Sequence, residues 1–179
     1  ASAHKHLKTI HPELLTIIIP RHATRGAEIL QTLQPIAINS LLRSNDSSIT
    51  DTTDIYIADT MGELGLFYRL TEVVFMGKSL MPLGGQNPLE ALNLNCSVLH
   101  GPHMKNFQWI SEQMLELGCS IQVNNAEELA NAISDLLLND TKRNEMIRIG
   151  KNFVNSQSEV VNLVTSEINK ILLASHADT

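Results

Sequence analysis

The 179-residue sequence contains no apolar run of the roughly 20 residues that a membrane-spanning helix requires, and its first residues do not form a signal peptide. Lysine and arginine together number 13, against 19 aspartates and glutamates, which gives a formal net charge of -6. General affinity for nucleic acid needs a basic surface, so this excess of acidic residues argues against nucleic-acid binding. It does not argue against binding one nucleotide, which a few local donors can hold. We expect the chain itself to be soluble and any membrane association to belong to a longer parent protein.

Cysteine is scarce, and the common metal and phosphate motifs are absent. Cys96 and Cys119 fit neither a disulfide framework nor a metal knuckle. Both stand beside apolar residues, which predicts small buried side chains in a reducing cytoplasmic compartment. Lys78 lies in GKS, but the rest of the P-loop pattern is incomplete, and G-x-G-x-x-G does not occur. His100 and His103 have no cysteine or carboxylate nearby to complete a metal site. We expect neither a metal nor a cofactor.

The composition is that of one globular domain. Hydrophobic residues make up 43% of the chain and charged residues 18%, as in ordinary soluble proteins. The length suits a single domain with a real core, and no linker divides it. Short apolar runs alternate with longer helical patterns, which is typical of a parallel sheet built from βαβ units. We therefore expect one Rossmann-like α/β domain over residues 1–179, with helices at its C-terminal end.

Six apolar runs predict strands, and the segments between them predict helices. The strands are expected at 14–19, 36–42, 54–58, 72–76, 97–99 and 120–123. Helices are expected at about 3–10, 26–33, 107–117 and 126–138, with short ones after 63 and near 87. Asn124 or Asn125 is expected to cap the helix at 126. Beyond residue 141 only helices are expected, with one apolar face formed by Leu163, Val164, Ile168, Ile171 and Leu172. That face packs on the core or, alternatively, docks on another domain or a membrane surface.

Four polar segments follow predicted strands, and they are the candidates for a binding site. They are PRHATR at 20–25, DTMGE at 59–63, LGGQNPLE at 83–90 and HGPHMKN at 100–106. In an open parallel sheet, ligands bind beyond the carboxyl ends of the strands. We expect all four segments to lie on the same rim of the sheet and to hold an anionic ligand the size of a nucleotide.

The third of these segments contains the groups that a phosphate or a ribose needs. Gly84 and Gly85 have no Cβ, so their backbone can come close to a ligand. Asn87 is expected near a helix N-terminus, which favours an anion, and Pro88 suits the first turn. Glu90 either accepts hydrogen bonds from ribose hydroxyls or is the capping-box partner of Asn87. The spacing alone does not decide between these two roles.

Other polar residues at the rim have two possible roles each. Arg21 follows a buried strand and presents a forked cation suited to phosphate or carboxylate; a surface salt bridge is the alternative. Glu63 either contacts the ligand or caps its own helix. His22 and Arg25 are weaker candidates. Trp109 is expected to be a core or packing residue.

The segments PRHATRGAEI, ADTMGELGLFYRL, GKSLMPLGGQNPLEA and VLHGPHMKNF together resemble the 3-deoxy-D-manno-octulosonic acid (Kdo) transferases. The resemblance covers roughly Pro12 to Leu138, in the order that the family has. It implies the GT-B architecture, in which two Rossmann-like domains face each other across a cleft, and it makes this chain the C-terminal, donor-binding half. The parent would be a glycosyltransferase of Gram-negative bacteria. It would transfer Kdo from CMP-Kdo to a lipid A precursor in lipopolysaccharide biosynthesis, at the cytoplasmic face of the inner membrane.

Carried over motif by motif, the resemblance implies a CMP-binding site. The residues assigned to it are Pro20, Arg21, Met61, Gly62, Glu63, Asn87, Pro88, Leu89 and Glu90. Arg21 would be the phosphate partner, with Asn87 also near the phosphate and Glu90 on the ribose. The DTMGE segment would line the nucleotide largely through its backbone. No metal and no catalytic residue is implied in this chain.

The general base that the resemblance implies is an acidic residue of the N-terminal domain, which this sequence does not contain. A base is required because the acceptor hydroxyl loses its proton as it attacks. We therefore expect the chain to bind the donor without catalysing transfer, and the lipid A precursor to be bound through that other domain.

The sequence departs from the family at two places. It has Gly77-Lys78 where two glycines are usual, and a strand expected before the helix at 3–10 is not evident, which would expose a sheet edge. Two other functions stay open. One is the donor half of another GT-B enzyme that uses a UDP-sugar, against which DTMGELGLFY and PRH argue. The other is a non-catalytic docking domain, which predicts a large exposed apolar patch.

Overall fold

The structure, a computed structural model, describes residues 1–36, 38–45 and 48–157. Its strands are β1 Thr16–Ile18, β2 Ser40–Leu42, β3 Ile55–Ile57, β4 Val73–Phe75, β5 Ser97–His100 and β6 Ser120–Gln122. Its helices are α1 Ser2–Ile10, α2 Gly26–Leu33, α3 Leu64–Leu70, α4 Leu89–Asn93, α5 Gln108–Leu117 and α6 Ala126–Leu138. Residues 140–157 are helical as well and are called α7. The apolar face predicted at 163–172 lies outside the described residues.

The strands are all parallel, as the alternation of strands and helices predicts. They form two sheets of three strands, in the orders β1-β3-β2 and β4-β5-β6. In the first sheet Tyr56 pairs with both Ile17 and Leu41, so β3 is central. In the second, Val98 lies opposite Val74 and Ser120, so β5 is central. Helices flank the sheets, which confirms the predicted fold class.

The second strand is shorter than the sequence suggests. It was expected at 36–42, but the chain continues from α2 into a short turn of 3-10 helix at Gln34–Ile36, and β2 begins only at Ser40. Just before the strand, the Asn39 amide donates to the Asp54 carboxylate at 3.1 Å, and its side chain donates to the Thr52 carbonyl at 2.7 Å. The start of β2 is therefore set by contacts with the approach to β3, which lie 13 to 15 residues away along the chain.

The core is apolar on both faces of the central strands. Ile55, Ile57, Val98 and Leu99 are all almost completely buried, as continuous β-branched and aliphatic strands of a parallel sheet should be. Burying each such side chain contributes roughly 1.5–3 kcal/mol relative to exposing it. The prediction that Trp109 is a core or packing residue is wrong, because the residue is 57% exposed on α5.

Both cysteines are buried, as predicted. The Cys96 thiol donates to the Tyr68 carbonyl at 3.2 Å, and Cys119 lies in the same apolar cluster. Burial raises the pKa of both thiols to about 11. Because the thiolate is the reactive form, these are inert packing residues.

Helix α1 lies between the first sheet and α6. It packs along α6, where the His11 ring bonds the Ser134 hydroxyl at 3.0 Å. On its other side the His4 ring bonds the Thr16 hydroxyl at 2.9 Å, and Lys8 pairs with Asp54 at 3.0 Å. The helix therefore ties the first sheet to the layer that covers the second.

Local capping sets the start of α6. The Asn125 side chain accepts the Glu128 amide at 2.8 Å, and the Glu128 carboxylate accepts the Asn124 amide at 2.9 Å. The first of these bonds confirms Asn125 as the N-cap, since its side chain accepts an amide of the first helical turn. In the described ranges, no helix has both the length and the apolar character that a bilayer crossing needs.

Candidate functional site

The four polar segments leave the carboxyl ends of β1, β3, β4 and β5, as predicted. Segments 20–25 and 59–63 share one edge of the first sheet, because β1 and β3 are neighbours. Segments 83–90 and 100–106 share one edge of the second. The two groups meet where α3 approaches α4: a Cβ added at Gly65 would lie 3.5 Å from the Glu90 carboxylate.

The two adjacent glycines are required by the neighbouring loop. Gly84 and Gly85 have φ angles of 87° and 74°, in the left-handed region. A Cβ on Gly84 would come within 2.5 Å of the side-chain amide nitrogen of Asn106, and one on Gly85 would overlap the Met104 sulfur. The 100–106 loop therefore packs closely against the two glycines. The predicted close approach of a ligand to the same backbone stays a prediction.

A buried serine fixes the two loops of the second sheet to each other. The Ser79 hydroxyl donates to the Met76 carbonyl at 2.5 Å and accepts the Gly101 amide at 2.7 Å. Its carbonyl accepts the His103 amide at 2.9 Å, and the Gly84 carbonyl accepts the Asn106 amide at 3.0 Å. These hydrogen bonds give the glycine loop a defined shape.

Lys78 has the backbone conformation of the glycine that usually stands at this position. It has a φ of 62°, in the left-handed region that glycine adopts without steric cost. Its side chain is exposed and has no hydrogen-bond or ion-pair partner among the described residues. A cation therefore projects next to the glycine loop.

The start of α4 rules out one of the two roles left open for Glu90. Pro88 is the N-cap residue, and the Asn87 side chain accepts the Leu89 amide at 3.0 Å. The capping box between Asn87 and Glu90 is therefore wrong, because the helix begins later than that pairing needs. Within the described part of the chain the Glu90 carboxylate has no hydrogen-bond partner. Burial first, and then the Glu90 charge, raise the pKa of the Tyr68 hydroxyl to about 12.

The two arginines of the 20–25 segment differ. Arg25 donates two hydrogen bonds of 3.1 Å to Glu28. Arg21 is exposed, and no carboxylate of residues 1–36, 38–45 or 48–157 pairs with it. No described carboxylate therefore supplies the salt-bridge alternative for Arg21, and its guanidinium fork is unpaired within these ranges.

Glu63 does not cap α3, although it stands at the N-cap position. Its carboxylate accepts two hydrogen bonds of 2.5 Å from the Arg43 guanidinium and another from the Thr60 hydroxyl. The Arg43 hydrogen bonds, supported by the one from Thr60, lower the pKa of Glu63 to about 2. The side chain is therefore ionised and committed to the protein, which leaves the backbone of its loop for any ligand contact.

Arg43 is the residue that sequence reasoning missed. It lies directly after β2, outside the four polar segments from which the site was predicted. The signal was available, because Arg43 follows an apolar strand just as Arg21 does. Next to it, Ser44 donates to the Asp59 carboxylate through its amide at 2.9 Å and its hydroxyl at 2.6 Å. Burial raises the pKa of Asp59, but these bonds more than compensate, so the pKa lies below its ordinary value.

The middle of the 59–63 loop is open. Met61 is 74% exposed, and a Cβ added at Gly62 would meet no atom within 4 Å. Gly62 has a φ of 83°. The amides of Met61 and Gly62 find no acceptor in the part of the chain that the structure describes. Two backbone donors therefore face free space between two anchored ends.

No metal site accompanies these groups within the described ranges: no three His, Cys, Asp or Glu side chains come together to hold an ion. His100 and His103 differ in solvent exposure. His103 is exposed, whereas His100 is buried, donates to the Gly101 carbonyl at 2.8 Å and accepts from the Ser120 hydroxyl at 3.3 Å.

We expect His100 to make the fold sensitive to mild acid. Burial lowers its pKa, and the hydrogen bond to Gly101 offsets this only in part. The unfolded chain, with an ordinary histidine pKa of about 6.5, then binds more protons than the folded one as the pH falls, so stability decreases. Burial lowers the pKa of His4 as well, with the same consequence.

The measurement is urea unfolding between pH 7.5 and 5.5. The free energy of unfolding should fall over this interval, and His100→Gln should flatten the decline. The exposed His6→Gln should keep the slope of the unmodified chain. A slope that His100→Gln leaves intact would contradict the assignment.

The chain is similar in sequence to known proteins. No family model matches the chain. It is 30% identical over 145 residues to a 3-deoxy-D-manno-octulosonic acid transferase of Haemophilus influenzae, covering 81% of this chain and 34% of that protein. It is 34% identical over 141 residues to a probable mitochondrial 3-deoxy-D-manno-octulosonic acid transferase of Arabidopsis thaliana, covering 76% and 31%. The chain thus spans about a third of the length of these curated relatives.

A solved structure is similar over most of both chains. It is the crystal structure of the C-terminal CMP-Kdo binding domain of WaaA from Acinetobacter baumannii. The TM-score is 0.79 at 30% sequence identity, and the match covers 84% of this chain and 78% of that one. The similarity therefore extends to sequence and to fold together.

Proposed function

This chain belongs to the 3-deoxy-D-manno-octulosonic acid (Kdo) transferases, and from that premise we propose that it is a single domain that binds the nucleotide of CMP-Kdo. The site would lie at the rim where the 20–25, 59–63 and 83–90 segments leave their strands. The residues proposed to form it are Pro20, Arg21, Met61, Gly62, Glu63, Asn87, Pro88, Leu89 and Glu90.

One observation carries this proposal. Of the residues that the motif resemblance assigns to CMP, several have polar groups without a partner in the described part of the chain. They are the Arg21 guanidinium, the amides of Met61 and Gly62, and the Glu90 carboxylate. All of these groups are exposed, so a ligand can reach them, and together they offer donors for an anion and an acceptor for hydroxyl groups.

Each group has a chemical counterpart in CMP. Arg21 can donate two parallel hydrogen bonds to the phosphate. Glu90 can accept from the ribose hydroxyls, while the Met61 and Gly62 amides can donate to the nucleotide. The side-chain oxygen of Asn87 accepts the Leu89 amide, so only its side-chain N–H groups remain for the phosphate. Pro88 is buried, and we assign it and Leu89 to shaping the turn.

The reaction of the parent would be Kdo transfer to a lipid A precursor at the bacterial inner membrane. The acceptor hydroxyl bonds to the anomeric carbon of Kdo, the bond to phosphate breaks, and CMP leaves with the electron pair. Arg21 would stabilise the negative charge of the leaving phosphate. The proton needs a base outside this chain, so we expect donor binding without transfer.

The test is a titration of the isotope-labelled chain with CMP, followed through backbone amide NMR shifts, with UMP as the control. We expect selective shifts at residues 21, 61–63 and 87–90, and a dissociation constant on the order of a millimolar, or ~4 kcal/mol. Equal shifts with UMP would mean that the site does not select cytosine, which would contradict the choice of CMP-Kdo as the donor. No shift up to several millimolar CMP would overturn the proposal.

A further inference from the structure

We propose that Arg43 is a positioning residue of the CMP site, which holds the 59–63 loop in its binding shape and keeps the Glu63 carboxylate away from the bound phosphate. The inference rests on the proposed function and deepens it. It concerns a residue outside all four motifs that carry the family resemblance.

The first argument is the geometry of the ion pair. The Nε and the Nη2 of Arg43 each donate to one oxygen of Glu63 at 2.5 Å, a bidentate arrangement. The Thr60 hydroxyl donates to the same carboxylate. With three donors around it, this carboxylate has one orientation, and it lies on the side of the loop that faces β2.

The guanidinium is itself held from several sides. Its Nη1 donates to the Tyr56 hydroxyl at 3.1 Å, and its central carbon lies 5.8 Å from the centre of the Phe67 ring. Tyr56 and Phe67 are both buried. A planar, forked cation fits this set of partners, whereas the point charge of a lysine does not. The arrangement is therefore built around arginine.

A second contact fixes the other end of the same loop. Ser44, the next residue after Arg43, holds the Asp59 carboxylate through two hydrogen bonds of 2.9 and 2.6 Å. Two consecutive residues at the end of β2 thus anchor both ends of the loop that leaves β3. The exposed amides of Met61 and Gly62 lie between these anchors, so the β2 end sets where these donors stand.

The charge of Glu63 gives the pair a second consequence. A free carboxylate in this loop would repel the phosphate of CMP, since like charges in a partly desolvated site destabilise binding. In the ion pair with Arg43, the positive charge of the guanidinium compensates the negative charge of the carboxylate. Because the pairing lowers its pKa to about 2, it stays ionised and paired throughout the range in which binding can be measured.

The test compares CMP affinity between Arg43→Met, Glu63→Gln and the double variant. At pH 7.5 we expect Arg43→Met to raise the dissociation constant about tenfold, the loss typical of a charged hydrogen-bonding partner. Glu63→Gln removes the charge but keeps an acceptor for Arg43, so it should lose less affinity than Arg43→Met. The double variant should recover part of the loss.

The pH profile separates positioning from general structural damage. In Arg43→Met the pKa of Glu63 should rise towards its ordinary value, so lowering the pH towards 4.5 should bring its affinity closer to that of the unmodified chain. Taking the ratio of the two constants at each pH cancels the titration of CMP itself. A purely structural defect would leave this ratio constant. Arg148→Met is the matched control, because Arg148 makes a similar bidentate pair with Glu145 on α7, at 2.8 and 2.6 Å.

A second measurement needs no variant and no ligand. Carbon-13 NMR of the unmodified chain should give a Glu63 carboxyl pKa near 2, and a value near 4.3 would overturn the inference even if Arg43→Met fails to fold. If the chain binds CMP and Arg43→Met binds it equally well, the inference fails and the proposed function stands. If the unmodified chain does not bind CMP, both fail.

Discussion

Replacing Gly101 with alanine is expected to lower the free energy of unfolding by about 3 kcal/mol or more, or to prevent folding. Gly101 follows β5 and lies against the turn after β4. A Cβ at this position would overlap the Ser79 carbonyl and come within 2.5 Å of the Leu80 amide nitrogen. These are backbone atoms, so no side-chain rotation relieves the overlap. The same displacement would break the hydrogen bond from the Gly101 amide to the Ser79 hydroxyl.

Gly77→Ala is the matched control in the same pair of loops. A Cβ on Gly77 would meet no atom within 4 Å, so its cost should stay below about 1 kcal/mol. Urea unfolding of the two variants gives the comparison. Equal stability of Gly101→Ala and Gly77→Ala would mean that the close contact between the loops does not exist in solution.

The contact at Gly101 matters for binding as well as for stability. Through Ser79 it joins the loop after β5 to the loop that continues into Gly84 and Gly85, and from there into α4. A loop that is already ordered loses little conformational entropy when a ligand binds. Pre-organisation of the helix start therefore comes from packing between loops.

Residues 26–33 and 126–138 show how much local sequence determines. Both helices have the limits that the sequence predicts. Their signals are local: an apolar face at helical spacing and, for α6, a cap at Asn125. Strand ends are different, because β2 begins only where contacts from the distant Thr52 and Asp54 allow it. An apolar run shows that a strand exists, whereas its partners decide its length.

The site shows the same division. The sequence identifies which segments leave the strands, so the position of most of the residues proposed for the site was predictable. It does not show the strand order β1-β3-β2, which makes the end of β2 a neighbour of the 59–63 loop. The pair between Arg43 and Glu63, 20 residues apart, follows from that order and from no local pattern. The role of Glu90 depended on where α4 begins, a shift of one or two residues that spacing cannot resolve.

Arg21 is the side chain on which CMP binding should depend most. If it pairs with the phosphate, Arg21→Met should raise the CMP dissociation constant by roughly 10- to 100-fold, since a hydrogen bond to a charged group contributes about 1.5–3 kcal/mol. Stability should hardly change, because the side chain is exposed and unpaired among the residues that the structure describes.

Arg25→Met makes this prediction specific. Arg25 lies four residues further along the same segment, carries the same charge and is also exposed, but both arms of its fork are bonded to Glu28. Losing it removes one positive charge near the rim without removing a free fork, so the dissociation constant should change less than about threefold, within the range of screened surface charges. NMR titration of both variants under identical salt decides the matter. Equal losses would mean that only the overall charge of the segment attracts CMP. A loss confined to Arg21→Met would mean that Arg21 makes directed hydrogen bonds to the phosphate, because the two arginines differ chiefly in whether their hydrogen-bonding groups are already used.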